Sequence, residues 1–131
     1  STFDRYSKEA KEAWRKRGYH EVTNSRTGQV FHLSPKVLDD LEANGRESLN
    51  ILEAARELHK PLLIVHGQGD ETVPYFEAEQ LNIFAEPRQT TLSLIPAVGH
   101  TFDTRHPFDQ SNDAFDRVLA QTLAFFKEHL G

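Results

Sequence analysis

The chain has no cysteine and no methionine, a single tryptophan, and no excess of basic charge. Without cysteine, disulfides, thiolate metal sites and cysteine nucleophiles are excluded. A zero count is expected of a cytoplasmic protein, and a cytoplasmic location is the expectation here, although other compartments tolerate it. No stretch approaches the ~18 apolar residues of a membrane helix and no signal-peptide pattern is present, so no membrane partner is expected. The 15 basic side chains are outnumbered by 20 acidic ones, giving a net charge of −5. With a pI near 5.8, a phosphate-neutralising surface is disfavoured and no nucleic-acid partner is expected. A chain that opens Ser1-Thr2-Phe3 and lacks methionine throughout is expected to be processed, cut or partial.

What is present is globular in character. Hydrophobic residues make up 37% and charged residues 27% of 131 positions, and the mean hydropathy of −0.60 fits neither a disordered tail nor a membrane protein. Six basic side chains against three acidic ones give residues 1–20 a local charge of +3, which reads as a solvated helix face.

Periodicity and punctuation divide the chain. Phe3, Tyr6, Ala10, Ala13 and Trp14 share one face of a helix predicted over 2–17, with Gly18 as its C-cap. Tyr19–Thr23 and Gln29–Leu33 flank a Gly-containing turn and read as a hairpin. Ser34-Pro35 opens a helix carrying Val37, Leu38 and Leu41 inward, and Ser48 opens another that must end before Pro61. From Pro61 the texture changes. Leu62-Leu63-Ile64-Val65 is continuously apolar, as in a parallel strand covered on both faces. A helix after Pro74 carries Phe76, Leu81 and Phe84, and Thr91–Ile95 forms a second strand. A last helix over about 111–130 places Phe115, Val118, Leu119, Thr122, Leu123 and Phe126 on one face. The order predicts an α/β fold in which two parallel strands are joined by a right-handed helical crossover. A helical and hairpin segment, residues 1–60, precedes this core over 61–131.

In open α/β sheets ligands bind beyond the carboxyl ends of the strands. Asp70 follows the first strand of the pair and His100 follows the second, thirty residues and one helix later. A carboxylate on a neighbouring strand-end loop can hold the tautomer of an imidazole and stabilise its protonated form. The order acid then histidine is that of the last two members of an α/β-hydrolase triad.

Pro61–Pro74, with its Gly67-Gln68-Gly69-Asp70-Glu71-Thr72-Val73 core, resembles the seventh strand and acid loop of the α/β-hydrolase fold. Leu94–Phe102, containing Gly99-His100-Thr101, resembles the eighth strand and its histidine loop. The continuation Asp103–Phe108 is similar to the dienelactone-hydrolase and prolyl-oligopeptidase-like branches. The resemblance is specific over 61–130 and weaker over 1–60, which look like a cap-like insertion between strands six and seven. It implies that Asp70 is the triad acid and His100 the general base.

The departures carry equal weight. None of the seven serines (Ser1, Ser7, Ser25, Ser34, Ser48, Ser93, Ser111) lies in a Gly-x-Ser-x-Gly elbow, and no oxyanion-hole loop is recognisable. Each missing oxyanion donor costs about 3–4 kcal/mol of transition-state stabilisation. The expectation is therefore the C-terminal part of a serine hydrolase acting on small-molecule esters, thioesters or amides, inactive by itself. The alternative is a non-catalytic interaction module or degenerate subunit. Either way, an uncovered sheet edge is expected to meet the missing half or a second copy.

Blander roles compete at each position. Asp70 can cap the helix after Pro74, and His66, at an apolar strand end, reads as a hydrogen-bonded structural histidine. Asp103 and Asp109 fit turn roles and His106 a solvated one. Trp14, Tyr19 and Phe31 fit an acyl pocket or ordinary core packing. His66, Asp70, His100 and His106 lack dense ligand spacing, and the Gly67-Gln68-Gly69 loop lacks a phosphate-binding signature. No metal and no cofactor are expected.

Overall fold

The computed structural model describes residues 6–24, 27–45 and 50–131. Phe3, the Ser25-Arg26 part of the hairpin turn, and the helix cap read at Ser48 lie outside the described residues. The chain forms two compact units, residues 1–50 and 51–131. The division comes ten residues before the one read from composition, because the helix after Asn50 packs against the crossover helix of the second unit.

In the first unit, helix α1 spans Lys8–Arg17. Ser7 caps it by accepting from the Ala10 amide, and Gly18, at φ 84°, ends it by donating its N–H to Trp14 O. Strands β1 (His20–Thr23) and β2 (Val30–Leu33) pair antiparallel, with Val22 opposite Phe31. Helix α2 spans Lys36–Asn44. Ser34 Oγ accepts from the Lys36 amide at 3.3 Å, a bond local to the Ser-Pro start. The core rests on Trp14 and on Leu38, which has no accessible surface. Trp14 Nε1 donates to Leu33 O at 2.9 Å, satisfying the one polar atom of a buried indole. Tyr6 and His20 pack against its ring at 5.6 and 4.8 Å. Trp14 is thus a core residue, while Phe31 is exposed and Tyr19 lies against His32.

Because Leu38 is sealed and Trp14 is the chain's single tryptophan, this unit carries its own reporter. Leu38→Ala is expected to destabilise it by about 2–5 kcal/mol, the scale of a leucine truncation in a closed core. Urea unfolding followed by Trp14 fluorescence should show the midpoint falling. An unchanged midpoint would mean that the site collapses freely around the alanine.

In the second unit, α3 (Ile51–Glu57) precedes β3 (Leu62–Gly67), α4 (Phe76–Phe84), β4 (Thr90–Ile95) and α5 (Asp113–Leu130). β3 and β4 pair parallel from Leu62 opposite Thr90 to Gly67 opposite Ile95, so both strands end at one level. Ile64, Gly67 and Ile95 are buried along the pair. The crossover helix buries Ala78, and Ala85 is buried just beyond its end, while Phe76 and Phe84 stay exposed. Small side chains let α4 approach closely, and the flanking phenylalanines fall on its outer side.

Asn112 caps α5 by accepting from the Phe115 amide at 2.9 Å. This helix carries two apolar stripes. Phe115, Val118, Thr122 and Phe125 are half-buried, whereas Leu119, Leu123, Phe126 and Leu130 are 46–78% exposed. The single apolar face read from the sequence is therefore split, and the helix meets the rest of its unit with one edge. Among the described residues, β3 pairs with β4 alone, and no helix is long and apolar enough to cross a membrane.

Candidate active site

The parallel register places the exits of β3 and β4 side by side, and the backbone of one exit lies directly on the other. Gln68 N–H donates to Ile95 O and Gly69 N–H donates to Val98 O, both at 2.9 Å. A Cβ on Gly67 would stand 2.3 Å from Val98 O and 2.7 Å from Gly99 O. Only glycine permits that approach. The first glycine of Gly67-Gln68-Gly69 therefore sets the distance between the loop bearing Asp70 and the loop bearing His100.

Asp70 is buried, its side chain 2% accessible, and both oxygens are engaged. Oδ1 accepts from the amides of Thr72 and Val73 at 2.8 and 2.9 Å. These bonds close a local turn ahead of α4, not a cap on its first turn. Oδ2 meets His100 Nδ1 at 2.7 Å. Burial raises the Asp70 pKa, but the Val73 amide, the His100 hydrogen bond and the Thr72 amide outweigh it and hold the carboxyl below its ordinary 3.8. The carboxylate is thus ionised at neutral pH and can only accept. His100 Nδ1 therefore carries the proton, which leaves the basic lone pair on Nε2. The His100 ring is half exposed. A buried acid and an oriented, half-exposed imidazole can together move a proton at the mouth of the strand pair.

The histidine loop is backbone-strained. Ala97, Phe102 and Asp103 have φ of 54°, 50° and 57°, where non-glycine residues are uncommon and each costs of order 1–3 kcal/mol. Turns from Phe102 N–H to Gly99 O and from Thr104 N–H to Thr101 O continue the loop. Strain on both sides of His100 fits a loop shaped to present one side chain.

The remaining candidates fall elsewhere. His66 Nε2 lies 2.8 Å from Val73 O, a structural hydrogen bond at the base of the acid loop. Asp103, His106 and Asp109 are exposed on the histidine loop, and it is Asp70 that meets His100. Among the described residues, no three His, Cys, Asp or Glu side chains group as metal ligands. Each described serine hydroxyl has a hydrogen-bond partner. Ser7 and Ser34 accept from the backbone, Ser93 donates to Gln121 at 2.8 Å, and Ser111 donates to Asp116. The hydrogen-bonded role of His66 was readable from the sequence, whereas its partner Val73 and the strained loop positions had no signature there.

The depressed pKa of Asp70 has a pH signature. A carboxyl whose folded pKa lies below its unfolded value contributes stability above the unfolded pKa and loses it as pH falls through the folded one. The wild-type chain should therefore lose stability relative to Asp70→Asn as the pH drops from about 6 to about 3. Thermal melts of both proteins across that range check it, and a constant gap would contradict an ionised, stabilising carboxylate.

No protein-family model matches the sequence, and no curated protein matches it. The fold is similar to that in the crystal structure of a "putative hydrolase" from Agrobacterium vitis S4, with a TM-score of 0.68 at 18% sequence identity. The match covers 92% of this chain and 41% of that one. The chain thus has an α/β fold equivalent to part of a hydrolase-like protein, and it spans less than half of that neighbour's length.

Proposed function

We propose that this chain supplies the acid and the base of a Ser-His-Asp hydrolase, with Asp70 orienting His100 for hydrolysis of an ester, thioester or amide. The observation that carries this reading is the 2.7 Å contact from His100 Nδ1 to a carboxylate that is itself buried and held by two backbone amides. His100 Nε2 takes the proton of an attacking serine hydroxyl, and the imidazolium then gives that proton to the leaving group. Water attacks the acyl-enzyme through the same nitrogen, which restores the serine. Asp70 stays ionised and stabilises the imidazolium in both halves.

The nucleophile belongs to a segment outside these 131 residues, which also covers the β3 edge left unpaired among the described residues and the stripe Leu119, Leu123, Phe126 and Leu130. The hydrolase-like fold and the 41% span of the structural neighbour support that division. The Asp103–Phe108 continuation favours the dienelactone-hydrolase and prolyl-oligopeptidase-like branches. The chain alone should not turn over an ester. A longer chain carrying a Gly-x-Ser-x-Gly elbow should hydrolyse members of a p-nitrophenyl ester and peptide panel. Failure across that panel, with the longer chain folded, would overturn the reading.

A further inference from the structure

Beside Asp70 stands a third ionisable side chain that the proposed reaction leaves idle. His66, on β3, is 15% accessible, and its Nε2 lies 3.6 Å from Asp70 Oδ2 and 2.8 Å from Val73 O. A carbonyl only accepts, so Nε2 carries the proton and the bond to Val73 fixes the tautomer. Val73 is the residue whose amide donates to Asp70 Oδ1. One residue is thus held at both of its polar ends, its N–H by the carboxylate and its C=O by His66.

We propose that His66 is a positioning residue for the Asp70–His100 couple. By holding the Val73 carbonyl it keeps the 70–73 turn closed, and the closed turn pins Oδ1 and aims Oδ2 at His100 Nδ1. The chemistry of the turn makes this coupling direct. The Val73 N–H and C=O lie in successive peptide planes joined at its Cα, so if the freed carbonyl lets residue 73 shift, its amide is drawn off Oδ1, and a carboxylate held by one amide is free to rotate away from the imidazole. The 3.6 Å approach of Nε2 to Oδ2 places the imidazole N–H beside the oxygen that meets His100, a second polar contact on the same carboxylate. A side chain that merely filled the strand end would have no effect on which nitrogen of His100 bears the proton.

The role rests on the reading of Asp70 and His100 as acid and base, and it is tested on the 131-residue chain itself. Long-range proton–nitrogen NMR of the imidazoles, at mildly alkaline pH, reports the ratio of the two neutral tautomers of His100. The wild-type ring is expected to favour Nδ1–H. In His66→Leu the ratio should fall about tenfold, the scale of one lost charge-assisted hydrogen bond. In His66→Gln it should recover, because the glutamine amide reaches the same carbonyl. His66→Asn, polar but too short, should behave as His66→Leu and serves if the leucine variant fails to fold. A wild-type ratio in folded His66→Leu or His66→Asn overturns the role, as does a folded His66→Gln that restores nothing. A ratio indifferent to Asp70→Asn overturns the couple itself and the His66 role with it. A ratio sensitive to both residues, alongside a longer chain that hydrolyses nothing, overturns the hydrolase reading and leaves the positioning role standing.

Discussion

In a longer chain that supplies the nucleophile, Asp70→Asn is expected to lower kcat about 10⁴-fold with little change in KM. The reason is the direction of one hydrogen bond. Asparagine can keep its oxygen on the amides of Thr72 and Val73, which hold Oδ1 at 2.8 and 2.9 Å. Its NH2 group then faces His100 Nδ1, where the carboxylate Oδ2 stood at 2.7 Å. Two donors cannot share that contact, so the imidazole moves its proton to Nε2 and presents N–H to the serine hydroxyl it should deprotonate. The fold survives and the base is lost. His100→Ala should cost a similar factor, and the double variant little more, because the two residues act as one unit. Steady-state kinetics of the three variants decide it. Full activity in His100→Ala would sink the assignment, and multiplicative losses in the double variant would show that the residues act separately.

The meeting of the two candidate residues, Asp70 and His100, was legible in the sequence because strand ends are. A continuous apolar run, a glycine-rich exit and an acid, followed one helix later by a second strand and a histidine, place both side chains at one edge before any coordinate is known. The elements were legible for the same reason, since Gly18, Ser34-Pro35, Pro61 and Pro74 punctuate the chain. Which face α4 and α5 bury was not. Phe76 and Phe84 flank the small residues that face inward, and α5 has two apolar stripes of equal periodicity, of which one stays exposed. Periodicity reports that a face is apolar, and only the partner decides which face is used. The unit boundary moved for a related reason, because α3 was grouped with the residues preceding it in sequence and packs with those following. Positive φ at Ala97, Phe102 and Asp103 was also invisible, as alanine and phenylalanine do not advertise it.

Gly67→Ala is expected to separate the acid from the base without touching either. The new Cβ would stand 2.3 Å from Val98 O and 2.7 Å from Gly99 O. Both obstacles are backbone, so neither can step aside as the end of a flexible side chain would. Relief requires the 98–99 segment to move by about 1 Å, since carbon and oxygen atoms need more than 3 Å, and His100 is the next residue along. The overpacking should cost about 1–3 kcal/mol of stability. A displacement of about 1 Å should lower turnover in the longer chain by about 10²-fold. Gly69→Ala supplies the control. Its Cβ would lie 3.2 Å from Val98 O, a contact that a shift of a few tenths of an ångström relieves, so its losses should be several-fold smaller. Melting curves and the His100 tautomer ratio can be read on the 131-residue chain, and kcat on the longer one. Wild-type values in all three for Gly67→Ala would show that the loops yield without carrying His100 along. The close approach at Gly67 would then be ordinary packing, and not the spacing that brings His100 to Asp70.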